Sequence, residues 1–240
     1  ASGLFRAAPY VVFATMVAAA AIIPSMGTRL PLTTAADSIA LVGLLATARV
    51  FLALAAMDVG TAFGTLGARR EMMLGFLAEP ALLMVIFVAA MISQTTSLPM
   101  IAEHLTGEEM ALYPSLAFTA VAFTLVLLAE NARIPIDNPA THLELTMIHE
   151  AMLLEYSARH LALMEWGAAL KLFNYACIGL TLFVPFGVAT EAQGPVGLLL
   201  AVPVLGAKLL VAGAALAVLE TVSAKLRVFR APEFLATAFL

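Results

Sequence analysis

The sequence predicts an all-α integral membrane protein, a bundle of long spanning helices, and three observations carry that prediction. Of its 240 residues 62% are hydrophobic and only 12% charged, and the mean hydropathy is +1.01, which leaves too little polar surface to cover a water-soluble globule. Apolar runs of about 20 residues, the length that crosses a hydrocarbon core roughly 30 Å thick, recur along the chain. The charges between those runs sort by sign onto two sides.

The runs give six spans, bounded by charge, Pro or Gly. The first extends from Ala7 to Pro24, after Arg6. The second goes from Ser38, behind Asp37, to Gly60. The third is expected from Pro80 to Ser97, with Glu79 at its entrance, where free backbone N–H groups favour an anion. The fourth covers Leu112 to Ala129, the fifth Trp166 to Val188 and the sixth Val196 to Leu219, and Phe234 onward would begin a seventh. The chain opens at Ala1 without the pattern of a signal peptide and closes inside an apolar run. We therefore read 1–240 as a single transmembrane domain and as a fragment of a longer protein.

Alternating spans put Arg6, Arg69, Arg70, Arg133, Arg159, Lys225, Arg227 and Arg230 on one side. The opposite connections hold Arg29 against Asp37, Glu103, Glu108, Glu109 and Glu191. By the positive-inside rule the N-terminal end and the charged 130–165 segment are expected to be cytoplasmic. A net charge of −4 with dispersed Lys and Arg speaks against a nucleic-acid partner. The single cysteine, Cys177, allows neither an intrachain disulfide nor a cysteine-ligated cluster within this chain.

Between Glu130 and Lys171 lie nine of the 28 charged residues and three of the four histidines. Pro135 and Pro139 cannot sit inside one unbroken helix without losing backbone hydrogen bonds, and Asp137 before Asn138 suits a turn or an N-cap. A new amphipathic helix, tilted after the fourth span, is expected from about Pro139 to Arg159. On it Glu144 and Glu155, eleven apart, share a face, Glu155 and Arg159 form an i, i+4 pair, and Leu145, Ile148, Met152 and Leu153 fill the apolar side. Two readings stand: a solvated helix on the membrane surface, or a helix tucked into the bundle with its acids aligned as a proton path. His149-Glu150 lacks the second histidine of a zinc-protease helix, which would fall at Leu153.

Arg49 and Lys208 fall near the middle of the second and sixth spans, where facing lipid costs about 2.5–3.5 kcal/mol, so each is expected to find a partner or water. Asp58, Glu79, Glu130, Lys171 and Glu220 lie nearer span ends, where snorkelling is the ordinary outcome, with Glu79 and Glu130 singled out as exceptions. Gly60, Gly64 and Gly67 suit close helix packing better than a phosphate loop, because no P-loop lysine follows.

Three strings carry a resemblance. They are Arg133-Ile-Pro-Ile-Asp137-Asn-Pro-Ala-Thr-His-Leu-Glu144; Ile148-His-Glu-Ala-Met-Leu-Leu-Glu155-Tyr156-Ser157; and Ala56-Met-Asp58-Val-Gly-Thr-Ala-Phe-Gly64, running on to Gly67-Ala-Arg-Arg70-Glu71 and Ala78-Glu79-Pro80. With them the chain resembles, over almost its whole length, the membrane subunit of group 4 nickel-iron hydrogenases of the formate hydrogenlyase and hydrogenase-4 type, which is homologous to the membrane subunit of complex I that lines its quinone pocket. The resemblance implies an eight-span fold of which this sequence lacks the first and last spans. It implies a subunit without catalytic residues or bound cofactor in a bacterial or archaeal cytoplasmic membrane. Iron-sulfur clusters and the nickel-iron centre would belong to a small and a large partner subunit on the cytoplasmic side, with antiporter-like subunits beside it in the bilayer. It further implies that Glu79, Glu130, Asp137, Glu144 and Glu155, with Arg70, Arg133 and Arg159, form a charged cavity and proton path coupling electron transfer to proton or sodium movement. Complex I relatives carry acids where this chain has Ala140 and His142, which favours the hydrogenase branch over a quinone-pocket subunit of an NADH dehydrogenase. From another class, a secondary transporter built on Arg49, Asp58 and Lys208 is the third reading, and no inverted repeat supports it.

Overall fold

The structure, a computed structural model, describes residues 2–28, 36–107, 114–137, 148–189, 194–224 and 230–239. Among these the chain is helical: α1 (Gly3–Ile22), α2 (Ser38–Val59), α3 (Ala62–Ser93), α4 (Leu98–Gly107), α5 (Pro114–Glu130), α6 (His149–Leu153), α7 (Ala158–Phe183), α8 (Gly194–Val222) and α9 (Ala231–Ala236), closed by a 3-10 turn at Thr237–Phe239. Each of the six expected spans overlaps one helix, α1, α2, α3, α5, α7 or α8 in turn. Five are long and apolar enough to cross a membrane, and α5, at 17 residues, is the short one.

The caps follow local chemistry. Ser2 accepts the Phe5 N–H at the start of α1, Asp37 accepts the Ile39 N–H at the start of α2, and Thr61 accepts the Gly64 N–H at the start of α3. Asp37 also accepts the Thr96 hydroxyl at 2.9 Å, and Leu98 N–H reaches Ala36 O at 3.0 Å, so the α1–α2 and α3–α4 connections are laced together. The main core joins α1, α2, α3, α5 and α7 through Met16, Leu41, Leu45, Leu82, Ile86, Phe123 and Tyr175. A smaller apolar cluster sets Leu74 and Ala78 of α3 against Ala129, Ile136, Ile148, Ala231 and Leu235. It fixes the turn after α5, the start of α6, and α9.

Two expectations are corrected. Pro80 does not open a helix: α3 starts at Ala62 and runs 32 residues through it, so Glu79 is interior rather than at an entrance. Membrane helices tolerate proline when neighbours re-satisfy the backbone, and the apolar run on both sides of Pro80 keeps the helix going. At 1.5 Å per residue α3 is about 48 Å long, well beyond a hydrocarbon core of roughly 30 Å.

The helix expected to reach Arg159 stops at Leu153; Leu154 and Glu155 turn, Tyr156 and Ser157 are extended, and α7 begins at Ala158. Tyr156 is drawn to α1: its ring stacks on Phe5 at 4.1 Å and its hydroxyl donates to Phe5 O at 3.1 Å. This tertiary anchorage outweighs the weak preference of the segment for helix, and Glu155 and Arg159 are not an i, i+4 pair on one helix. Glu144, like Ala140 and His142, lies outside the described residues.

Candidate functional site

The site is built around Arg49. It sits on the α2 face formed with Leu45, Ala48 and Leu52, and packing of that face against α3 leaves its side chain only 5% exposed. A bare guanidinium there would be untenable, so its nitrogens are taken up by carboxylates from two helices. Nη1 donates to Glu79 Oε1 at 2.8 Å, Nη2 pairs with Glu130 Oε1, and Nε lies 3.5 Å from Glu71 Oε1. Glycine makes this reach feasible: a Cβ on Gly75 would stand 2.9 Å from Arg49 Cδ, so the side chain crosses α3 where α3 has no side chain.

Glu130 is the last residue of α5, where a carboxylate faces the negative end of the helix dipole. Lys171 of α7 compensates twice. Its Nζ is 3.0 Å from Glu130 Oε2 and donates to the Glu130 carbonyl at 2.5 Å. Tyr175, buried one turn further along α7, is within electrostatic reach of Glu130 and Arg49. Two cations thus face three carboxylates, drawn from α2, α3, α5 and α7, an arrangement with excess negative charge inside a membrane bundle.

The chain then leaves α5 through a left-handed residue, Ala132 at φ 50°, with Arg133 N–H closing on Leu128 O at 2.9 Å. Asp137 is buried and accepts the Ile148 N–H at 3.1 Å, tying the end of this turn to the start of α6. Gly67 lets α6 press on α3, because a Cβ there would lie 2.8 Å from Ile148 O. This is the close packing expected of that glycine. Between the turn, α6 and α7 opens a cavity of about 580 Å³. Glu130, Arg133, Asp137, His149, Glu150 and Lys171 line it alongside Leu153, Leu161 and Leu172.

His149, mostly covered, titrates below its ordinary value because burial disfavours the imidazolium; Glu71 and Asp137 oppose that shift and Lys171 adds to it. Tyr156 is pushed up to about 12, by burial first and then by Asp58.

Of the residues the sequence pointed to, Glu79, Glu130, Asp137 and Arg133 surround this cluster and cavity. Arg133 also pairs with Glu220 of α8 at 3.5 Å, near the surface. Glu155 and Asp58 lie elsewhere, lining a separate cavity of about 510 Å³ with Ser2 and Phe5, and Ser2 donates to Asp58. Arg159 is exposed and Arg70 partly buried, toward the outer part of α3. Among the described residues Lys208 joins no acid: its Nζ donates to Val184 O at 2.7 Å and to Phe186 O, capping α7, and stands 4.3 Å from the Phe186 ring.

Glu71 and Tyr175 were not singled out from sequence, Lys171 was read only as a span-end charge, and His149 was weighed only as a zinc ligand. A pairing requirement at Arg49 was legible, and Glu71 and Lys171 are among the few charges close enough along neighbouring spans to meet it. Among the described residues no group of three or more His, Cys, Asp or Glu side chains is arranged to hold a metal ion.

The family model described as NADH dehydrogenase matches residues 1–240. The chain belongs to the NADH dehydrogenase family. It is 38% identical to hydrogenase-4 component C of Escherichia coli (strain K12) over 192 residues, 79% of this chain and 59% of that protein. It is 34% identical to formate hydrogenlyase subunit 4 of the same organism over 229 residues, 95% of this chain and 73% of that protein. The chain therefore spans somewhat more than half of the first relative and about three quarters of the second. An archaeal respiratory membrane complex, the membrane-bound sulfane sulfur reductase, contains a chain of the same fold, with TM-score 0.82 and 17% identity, covering 99% of this chain and 78% of that one. The hydrogenase resemblance seen in the motifs holds, and the protein is a multi-pass helical membrane protein.

Proposed function

We propose that this chain is the membrane anchor and coupling subunit of a membrane-bound nickel-iron hydrogenase complex of the formate hydrogenlyase type, linking electron transfer in soluble partners to proton or sodium movement. One observation carries the reading: a five-membered charge cluster, Arg49, Glu71, Glu79, Glu130 and Lys171, lies inside the bundle and opens through Glu130 and Lys171 onto a large polar-rimmed cavity. Intramembrane ionisable groups of this kind mark ion pathways. The basic connections support a cytoplasmic side for the cavity, and in this reading cluster-bearing small and hydrogenase large subunits dock over it, with antiporter-like subunits alongside in the bilayer. Glu130, Asp137 and Arg133 act at the cavity, and Glu79 acts at the Arg49 cluster. Glu155 and Asp58 act at the separate one beside α1, with Arg70 and Arg159 on the docking side and Glu144 between them in sequence.

The cavity's size and its leucine wall also fit a bound quinone head, the complex I version of this subunit. Isolation in mild detergent separates the readings. Co-purifying nickel and cluster-bearing subunits support the first, a flavin-containing NADH module supports the second, and a lone polypeptide that transports a solute overturns both. In the intact complex, Glu130→Gln, Glu144→Gln and Glu155→Gln are expected to impair coupled activity with subunit content unchanged. Wild-type activity and ion movement in all three would remove these acids from the path.

A further inference from the structure

The charge cluster has a second, smaller opening. The large cavity touches Glu130 and Lys171 but reaches neither Arg49 nor Glu71. A void of about 30 Å³ does reach them, walled by Met16, Leu45 and Met164. His149, Leu153, Ala168 and Lys171 line both spaces and so form the partition between them. Of these four, Lys171 is already held by the Glu130 carboxylate and carbonyl. His149 is the remaining group that can exchange a proton on either side, since one neutral ring nitrogen donates while the other accepts.

The void is large enough for a water, which needs at least about 10–15 Å³ and two to four polar partners. Its wall is largely apolar, but Arg49, Glu71, His149 and Lys171 are among the residues that line it and supply the polar partners a water needs. One atom also asks for a partner. Arg49 Nε is buried without a hydrogen-bond acceptor, and Glu71 Oε1 at 3.5 Å is too far to serve as one. A water beside this pair accepts from Nε and donates to the Glu71 carboxylate, giving the buried nitrogen the partner it lacks.

We propose that the small void is an internal water site and that His149 is the gate by which a proton passes between the large cavity and Glu71. The proposal deepens the coupling reading and rests on it. Neutral His149 takes a proton at one ring nitrogen from the large cavity. The resulting imidazolium releases the proton on its other nitrogen to the water, which passes a proton to the Glu71 carboxylate. One proton has moved, no electron has, and the imidazole is left as its other tautomer until rotation of the ring or return of a proton resets it. The groups facing His149 are Glu71 of α3, Asp137 of the turn after α5 and Lys171 of α7, with Glu150 beside it on α6 and Arg49 of α2 across the void. Burial keeps the imidazolium from persisting at neutral pH, as a carrier requires.

Hydroxyl-radical labelling of the intact complex tests the water. Met16, Met164 and Met152 are 1%, 3% and 2% exposed, and only the first two line the void. Radicals born on an internal water are expected to oxidise Met16 and Met164 at least fivefold faster than Met152, and equal slow oxidation of all three overturns the water site. The gate is tested by His149→Ala in complex reconstituted into sealed vesicles, with Glu130→Gln as reference and subunit content measured in each. Coupled turnover is expected to fall at least fivefold in His149→Ala and to recover at least threefold with added imidazole. Ala168→Leu, which narrows the partition without touching a titratable group, is expected to show the loss without the recovery. A loss that imidazole does not relieve in His149→Ala overturns the gate, as does wild-type turnover in His149→Ala and Ala168→Leu while Glu130→Gln is impaired; the coupling reading then stands. Wild-type turnover in all three variants brings down the coupling reading and the gate together.

Discussion

Arg49 and Lys208 both place a cation in the middle of a spanning helix, and the protein answers them differently. Half of the α2 span around Arg49 is buried, and three carboxylates from α3 and α5 come to it. Only 6% of the α8 span around Lys208 is buried, and its ammonium makes do with two carbonyls at the end of α7 and the face of Phe186. Where many helices meet, a charge can be neutralised by opposite charges, at the cost of burying those as well. On the largely exposed α8, backbone dipoles and an aromatic ring suffice. The first arrangement couples several helices through ionisable groups, whereas the second fastens α8 to α7.

The sharpest break of this comparison is Arg49→Met. It leaves Glu71, Glu79 and Glu130 facing one another with Lys171 alone, and removing one partner from a buried ion pair costs about 3–5 kcal/mol. The thermal unfolding midpoint of the complex in detergent is expected to fall steeply, or the complex to be recovered without this chain. A midpoint near wild type would show that Arg49 does not hold the cluster. Gly75→Ala comes next, at about 1–3 kcal/mol for overpacking, because the new methyl occupies the path of the Arg49 side chain. Its signature is a double-mutant cycle with Arg49→Met in which the two losses are far from additive.

Lys208→Met is expected to cost about 1 kcal/mol, the scale of a cation at a helix C-terminus, and to loosen only α8, read as faster proteolysis in the 184–194 connection. A loss as large as that of Arg49→Met would erase the distinction between the two sites. The smallest effect is on pH. His149 binds its proton less tightly in the folded protein than its ordinary value of 6.5, so as pH falls below 6.5 the unfolded chain takes up a proton that the folded one refuses. Stability of the wild type should therefore decline on acidification through that range, and a denaturation series at several pH values should show a shallower decline in His149→Gln.

The spans were legible because hydropathy and loop charge depend only on composition along the chain, and lipid leaves helices as the one form these runs can take. Arg49 announced its need for partners in the same way. Its partners were less legible: Glu79 and Glu130 stood out as exceptions to snorkelling, but Lys171 had snorkelling as its ordinary outcome and Glu71 fell in the connection between the expected second and third spans. Only the packing of α2, α3, α5 and α7 turns them toward one point. The length of α3 was hidden by Pro80, a stop signal in water that neighbouring helices override in a bundle. The break at Leu154–Ser157 was hidden because its cause, Tyr156 against Phe5, joins residues 151 apart in the chain. His149 gave no signal as a site because its meaning comes from the two spaces on either side of it.

The unbroken run of α3 has a mechanical side. Its N-terminal third bears Arg69, Arg70 and Glu71, its flank at Gly67 rests on the backbone of Ile148, and its middle holds Glu79, so that both carboxylates meet Arg49. A continuous helix transmits tilt along its length. A subunit leaning on the outer end of such a rod, with Gly67 as the fulcrum, would shift two carboxylates relative to the guanidinium by a fraction of an ångström, and ion pairs at that range are steep functions of distance.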